Sequence, residues 1–147
     1  MRRAKRFILF IFVVSISSGC AVNRSTASLE PSADLSKLKT LYVVKLAPDE
    51  RGINTLIVKE LESRGYKATT GMGVEIPSDV DAVVRYKDKW MWDITMYMLE
   101  LTITLRDKET DFPLATGNSY HTSLTRLSPE EMIEEVLSNI FNERKSL

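Results

Sequence analysis

Apolar and polar positions change rhythm along this chain, and each rhythm predicts an element. Thr40–Leu46, TLYVVKL, is a short β-branched and aromatic run, the mark of a buried strand, and Pro48 and Asp49 end it. Ile53, Leu56, Ile57 and Leu61 then recur on one face of a helix, with Asp49 placed to cap its start and Gly65 its end. Tyr66–Thr70 reads as a second strand, and a strand, helix and strand in this order favour a right-handed parallel crossover. A loop follows over Gly71–Asp79. In the strand Asp81–Lys89, Ala82, Val84 and Tyr86 share a face opposite Arg85, Lys87 and Lys89. Met96–Arg106 alternates most cleanly, with Tyr97, Leu99, Leu101, Ile103 and Leu105 on one side and Met96, Met98, Glu100, Thr102, Thr104 and Arg106 on the other. A turn at Asp107–Asp111 leads to a strand over about Pro113–Ser123. The last element is a helix. Ser128 as N-cap, Pro129 at N1 and Glu131 at N3 form a capping box, and Met132, Ile133, Val136, Leu137, Ile140 and Phe141 make an unbroken apolar stripe.

The predicted order is β-α-β-β-β-β-α. Because the later strands are apolar on one face only, two amphipathic helices cover that face and the polar face looks outward. The expected fold is therefore α+β, a two-layer sandwich of a mixed five-stranded sheet with two helices on one face. Ahead of it, Ala21–Ser36 is rich in Ser, Ala, Thr and Asn and shows no apolar period, so it reads as a flexible tether.

With 147 residues the chain suits one compact domain, and 44% hydrophobic with 27% charged residues excludes a disordered tail and a multi-span membrane protein. One Cys and one His exclude an internal disulfide framework and the common His/Cys zinc sites. The net charge of zero hides an asymmetry. Arg2, Arg3, Lys5 and Arg6 stand with no acidic residue among the first 29 positions, the apolar run Phe7–Val14 follows, and small residues lead to Cys20. This is a three-part secretory signal, too short in its apolar part for the ~20 residues of a transmembrane helix. Four of the 20 basic residues leave with it, so 16 remain against 20 acidic ones, a net of −4. That balance gives no electrostatic ground for binding nucleic acid or for attraction to anionic lipid.

Ser17-Ser18-Gly19-Cys20 resembles the lipobox of bacterial lipoproteins, with Ser17 where Leu, Val or Ile is usual and Ile16 one place early. The resemblance implies cleavage before Cys20, a diacylglyceryl group on its sulfur, and an acyl chain such as palmitate on the new amino terminus. Two or more buried chains hold a protein on a membrane stably. In Gram-negative lipoproteins an Asp after the Cys usually retains the protein in the inner membrane. Here Ala21 follows, which by the same resemblance implies the periplasmic face of the outer membrane. The implied organisation is a signal peptide at 1–19, a lipidated Cys20 and tether at 20–37, and one α+β domain at 38–147.

Asp81-Ala-Val-Val through Trp90-Met-Trp92-Asp93 and Tyr97, then the hairpin and the Ser128-Pro-Glu-Glu helix, is similar to small uncharacterised lipoproteins of Gram-negative bacteria over roughly residues 40–143. More distantly the layout resembles α/β domains of envelope accessory proteins, such as the amino-terminal domain of TolB and lipoprotein activators of penicillin-binding proteins. These likenesses imply an envelope location and no particular reaction.

No motif carries a reaction. His121 has Ser119 and Ser123 as same-face neighbours, but a triad also needs an orienting acid and an oxyanion hole. Gly71-Met72-Gly73 lacks the remainder of a nucleotide-binding fingerprint, and Asp79, Asp81 and Asp93 lack EF-hand spacing. No catalytic residue, metal or cofactor is therefore assigned. Trp90-Met91-Trp92-Asp93 is the most distinctive segment. In an extended chain the two tryptophans share a face, either closing one edge of the core or forming an aromatic platform for a partner, with Asp93 orienting an indole. The expected role is a non-enzymatic interaction or assembly-accessory module of the envelope. The alternatives are a small-ligand carrier, with a void lined by Tyr86, Tyr97 and Tyr120, and an envelope-acting hydrolase.

Overall fold

The computed structural model describes residues 23–47 and 49–143. The signal peptide, the lipobox and Cys20 lie outside the described residues. The elements are β1 (Asn23–Leu29), β2 (Thr40–Val44), α1 (Ile53–Ser63), β3 (Lys67–Gly71), β4 (Ala82–Asp93), β5 (Thr95–Asp107), β6 (Pro113–His121) and α2 (Pro129–Glu143). The strands form one mixed sheet in the order β1-β6-β5-β4-β2-β3, with β2 parallel to both β3 and β4 and the other pairs antiparallel.

The α+β sandwich is as the periodicity predicts, but the sheet has six strands rather than five. The extra strand is β1, inside the segment read as a tether. Asn23–Leu29 pairs with the outer edge of β6 from Asn23↔His121 to Leu29↔Ala115. Its own sequence, NRSTASL, has almost nothing to bury. Pairing comes instead from backbone groups that β6 would otherwise leave open at an edge. Ala27 and Leu29 do pack against the core, and the Asn139 side chain of α2 donates to Ser25 Oγ.

Both helices lie on the same face. Helix α1 packs on β2 and β3, and α2 packs on β1, β5 and β6. The α2 stripe is buried throughout, from Met132 to Phe141, and each such side chain contributes roughly 2 kcal/mol of burial. The capping box forms as read: Ser128 Oγ accepts from Glu131 N at 3.2 Å, and Glu131 Oε2 accepts from Ser128 N at 2.8 Å. On β6 the inward positions are Ala115, Gly117, Ser119 and His121, the first three of them small. A Cβ on Gly117 would lie 2.8 Å from Val136 Cγ1, so glycine there lets α2 approach the sheet.

One predicted face is wrong in part of β5. Leu101, Ile103 and Leu105 point to the helices, but the register shifts at Lys89/Trp90, where Lys89 faces Glu100 and Trp90 faces Met98. The shift inserts one residue on β5 and reverses which side chains point inward. Met98 enters the main core, whereas Tyr97 and Leu99 are buried outside it.

Candidate functional site

Four places concentrate polar or exposed apolar groups. The first joins β6 to α2. Ser119 and His121, two residues apart, point to the helix side, and Glu135 reaches down from α2. Ser119 Oγ donates to Glu135 Oε2 at 2.5 Å, and His121 Nε2 lies 3.0 Å from the same oxygen. The serine is fully buried, and its proton goes to the carboxylate rather than to the imidazole. A nucleophile needs the opposite arrangement, with the histidine taking the serine proton and the acid behind it. The cluster ties helix to sheet. Glu135 is not among the residues the sequence singled out, so its role here went unseen.

The second place lies at the start of α1. Asp49 is buried and accepts from Tyr86 Oη at 2.6 Å and from the backbone N–H groups of Arg51, Ile53 and Asn54 at 3.0, 3.2 and 3.1 Å. Gly52, at φ 71°, allows the turn that brings Asp49 under the helix start. Burial pushes the Asp49 carboxyl up, but the Tyr86 hydroxyl and the N–H donors outweigh it and hold the group below the usual carboxylate range. Tyr86 is pushed well above the ordinary phenol value, first by burial and then by its bond to Asp49. The capping role of Asp49 was legible in sequence, whereas Tyr86 as its partner was not.

The third place is the far end of the β4–β5 hairpin, which holds Trp90, Trp92 and Asp93. The two tryptophans have different surroundings. Trp90 is half-buried against the core, and its indole donates to Asp88 Oδ2 at 2.6 Å rather than to Asp93. The Arg51 guanidinium sits 4.3 Å from its ring centre. Trp92 is 69% exposed beside Met91, Ile94 and Met96, all exposed, at a turn where Ile94 has φ 60°. Asp93 is exposed at the same turn.

The fourth place is the sheet face opposite the helices. Asn118 Nδ2 donates to Glu100 and Thr102, and Arg106 and Arg85 both reach Asp111. Val44, Leu46, Arg85, Lys87, Thr102, Thr104 and Arg106 line a groove of about 290 Å³ on that face.

The remaining candidates separate. Asp81 accepts from Lys39 N, Thr40 N and Thr40 Oγ1, which pins β2 beside β4 and lowers its pKa. Asp93 is far along the hairpin. Among the described residues no group of three or more His, Cys, Asp or Glu is placed to hold a metal ion. Tyr86, Tyr97 and Tyr120 do not line one void. Tyr86 bonds Asp49, Tyr97 lies under Arg126, and Tyr120 lies under Arg24.

No family model and no curated protein matches this sequence. Among solved structures, two forms of the PelC dodecamer from Paraburkholderia phytofirmans are similar. They are 14% and 16% identical, with TM-scores of 0.61 and 0.58, covering 81% of this chain and 98% and 97% of theirs. TolB from Acinetobacter baumannii is 12% identical with a TM-score of 0.47, covering 82% of this chain and 32% of its own. A minor lipoprotein from the same organism is 16% identical with a TM-score of 0.37, covering 74% and 92%. At these identities the PelC likeness establishes a shared fold.

Proposed function

We propose that this protein is a lipoprotein held by Cys20 on the periplasmic face of the outer membrane, whose domain is a non-enzymatic interaction or assembly module. One observation carries the module reading. Among the described residues, both helices cover one face of the sheet and no element covers the other, which carries a basic, part-apolar groove between Val44 and Arg106. An uncovered sheet face of this kind offers area and charge to a partner without rearrangement of the fold. The PelC chains of similar fold are dodecamers, so copies of the same chain are one class of partner to look for.

The test is crosslinking in cells, then capture of the lipidated protein and mass spectrometry. A reproducible partner that is lost in a folded Arg85→Glu/Lys87→Glu variant supports the module and its surface. A partner retained by that variant refutes this face. Cys20→Ala should leave the membrane fraction, and unchanged attachment would refute the anchor.

A further inference from the structure

We propose that the tip of the β4–β5 hairpin is a wedge that enters the bilayer to which Cys20 is anchored. The proposal rests on the reading that Cys20 is lipidated. The register places the two features at one end of the sheet. Arg24, Tyr120, Glu100 and Lys89 stand in one row across β1, β6, β5 and β4. From this row, β1 runs back toward Cys20, and β4 runs on to the turn at Ile94. Neighbouring strands are antiparallel at each step, so these two directions are the same.

The lengths match as well. Lys89 to Ile94 is five residues, ~17 Å of strand at ~3.3 Å per residue. Arg24 to Cys20 is four residues, which span at most ~14 Å. Three strand spacings of ~4.8 Å separate β1 from β4. Because β1 is a strand and not a tether, Cys20 cannot stray far from this end of the sheet. A membrane that holds its acyl chains lies where the hairpin projects.

The tip has the chemistry for that place. Residues 91–96 are all exposed, and Trp92, Ile94, Met91 and Met96 show 69%, 86%, 42% and 48% of their surface. Tryptophan favours the membrane interface. Ile94 holds φ 60°, a left-handed conformation costly for a β-branched residue and free for glycine. The position thus keeps an apolar side chain at the expense of backbone strain. Behind the tip, Arg126 donates to Thr95 Oγ1 at 2.8 Å, and Arg51, Lys87 and Lys89 are exposed nearby. The acids of this end are Asp88, which accepts from the Trp90 indole, Glu100, opposite Lys89, and Asp93 at the turn.

The test uses the full lipidated chain in vesicles of phosphatidylethanolamine and phosphatidylglycerol with brominated acyl chains. Trp90→Phe leaves Trp92 as the indole that reports. Its emission should shift to the blue and be largely lost to bromine quenching, while Trp90, read in Trp92→Phe, keeps most of its emission. If Trp90→Phe fails to fold, the difference between the natural chain and Trp92→Phe gives the same reading. Trp92 left at its water-exposed emission in protein that floats with the vesicles overturns the wedge and leaves the anchor standing. That result hands the tip to a protein partner. Protein that does not float overturns the anchor and the wedge together. Ile94→Asn should reduce the quenching of Trp92 while floating as before.

Discussion

Asp49→Ala tests how the two layers are joined. The substitution removes an acceptor from four donors. Tyr86 keeps the N–H donated by Leu46 at 3.2 Å, but its own proton loses its acceptor inside a site only 2% exposed. Ile53 N and Asn54 N, at the start of α1, lose their cap in buried surroundings. An orphaned buried hydroxyl costs about 1–2 kcal/mol, and a lost cap costs a similar amount. The expected loss is about 3 kcal/mol, or a fall in Tm of roughly 12 °C for a domain of this size. Urea unfolding followed by circular dichroism measures it. Tyr86→Phe should cost less, roughly 1 kcal/mol, because Asp49 keeps its three N–H donors. The double variant should then lose less than the two singles together. Acid sharpens the test. The folded-state pKa of Asp49 is depressed, so its contribution is full above the ordinary carboxylate pKa of ~4 and is lost as pH falls through the folded value. The gap between the natural chain and Asp49→Ala should therefore narrow in acid. A loss under ~0.5 kcal/mol, or additive single variants, would refute the assigned bonds.

Other substitutions probe other joints. Glu135→Ala strands the buried Ser119 hydroxyl and His121 Nε2 and should cost about 2–3 kcal/mol in the same unfolding assay; a neutral result would mean water replaces the carboxylate readily. Gly117→Ala drives a methyl group against Val136 and Ile140, so a loss of about 1–3 kcal/mol is expected, and a stabilised protein would show that α2 can lift away freely. Ile94→Asn relieves a left-handed β-branched residue that buries little, so the domain should gain about 1 kcal/mol in water; an unchanged Tm would argue that the turn holds no strain.

The elements whose signal is local were legible in the chain. The α2 stripe from Met132 to Phe141 and the Ser128–Glu131 capping box follow from spacing over a few turns, and both stand in the structure as read. The polar and apolar faces of β4 and the inner half of β5 were legible for the same reason. What tertiary structure decided depends on residues far apart. Strand β1 has no periodicity of its own and forms because β6 offers it an open backbone edge. The shift at Lys89/Trp90 reverses Met98 and Leu99 through pairing between two strands, which no single run of sequence records. Asp49 finds Tyr86 37 positions away, and Ser119 finds Glu135 on a different element. Trp90 and Trp92, two positions apart in the chain, differ in burial because the core ends between them. Periodicity says which way a side chain points within its element, whereas only the packing of elements says what it meets there.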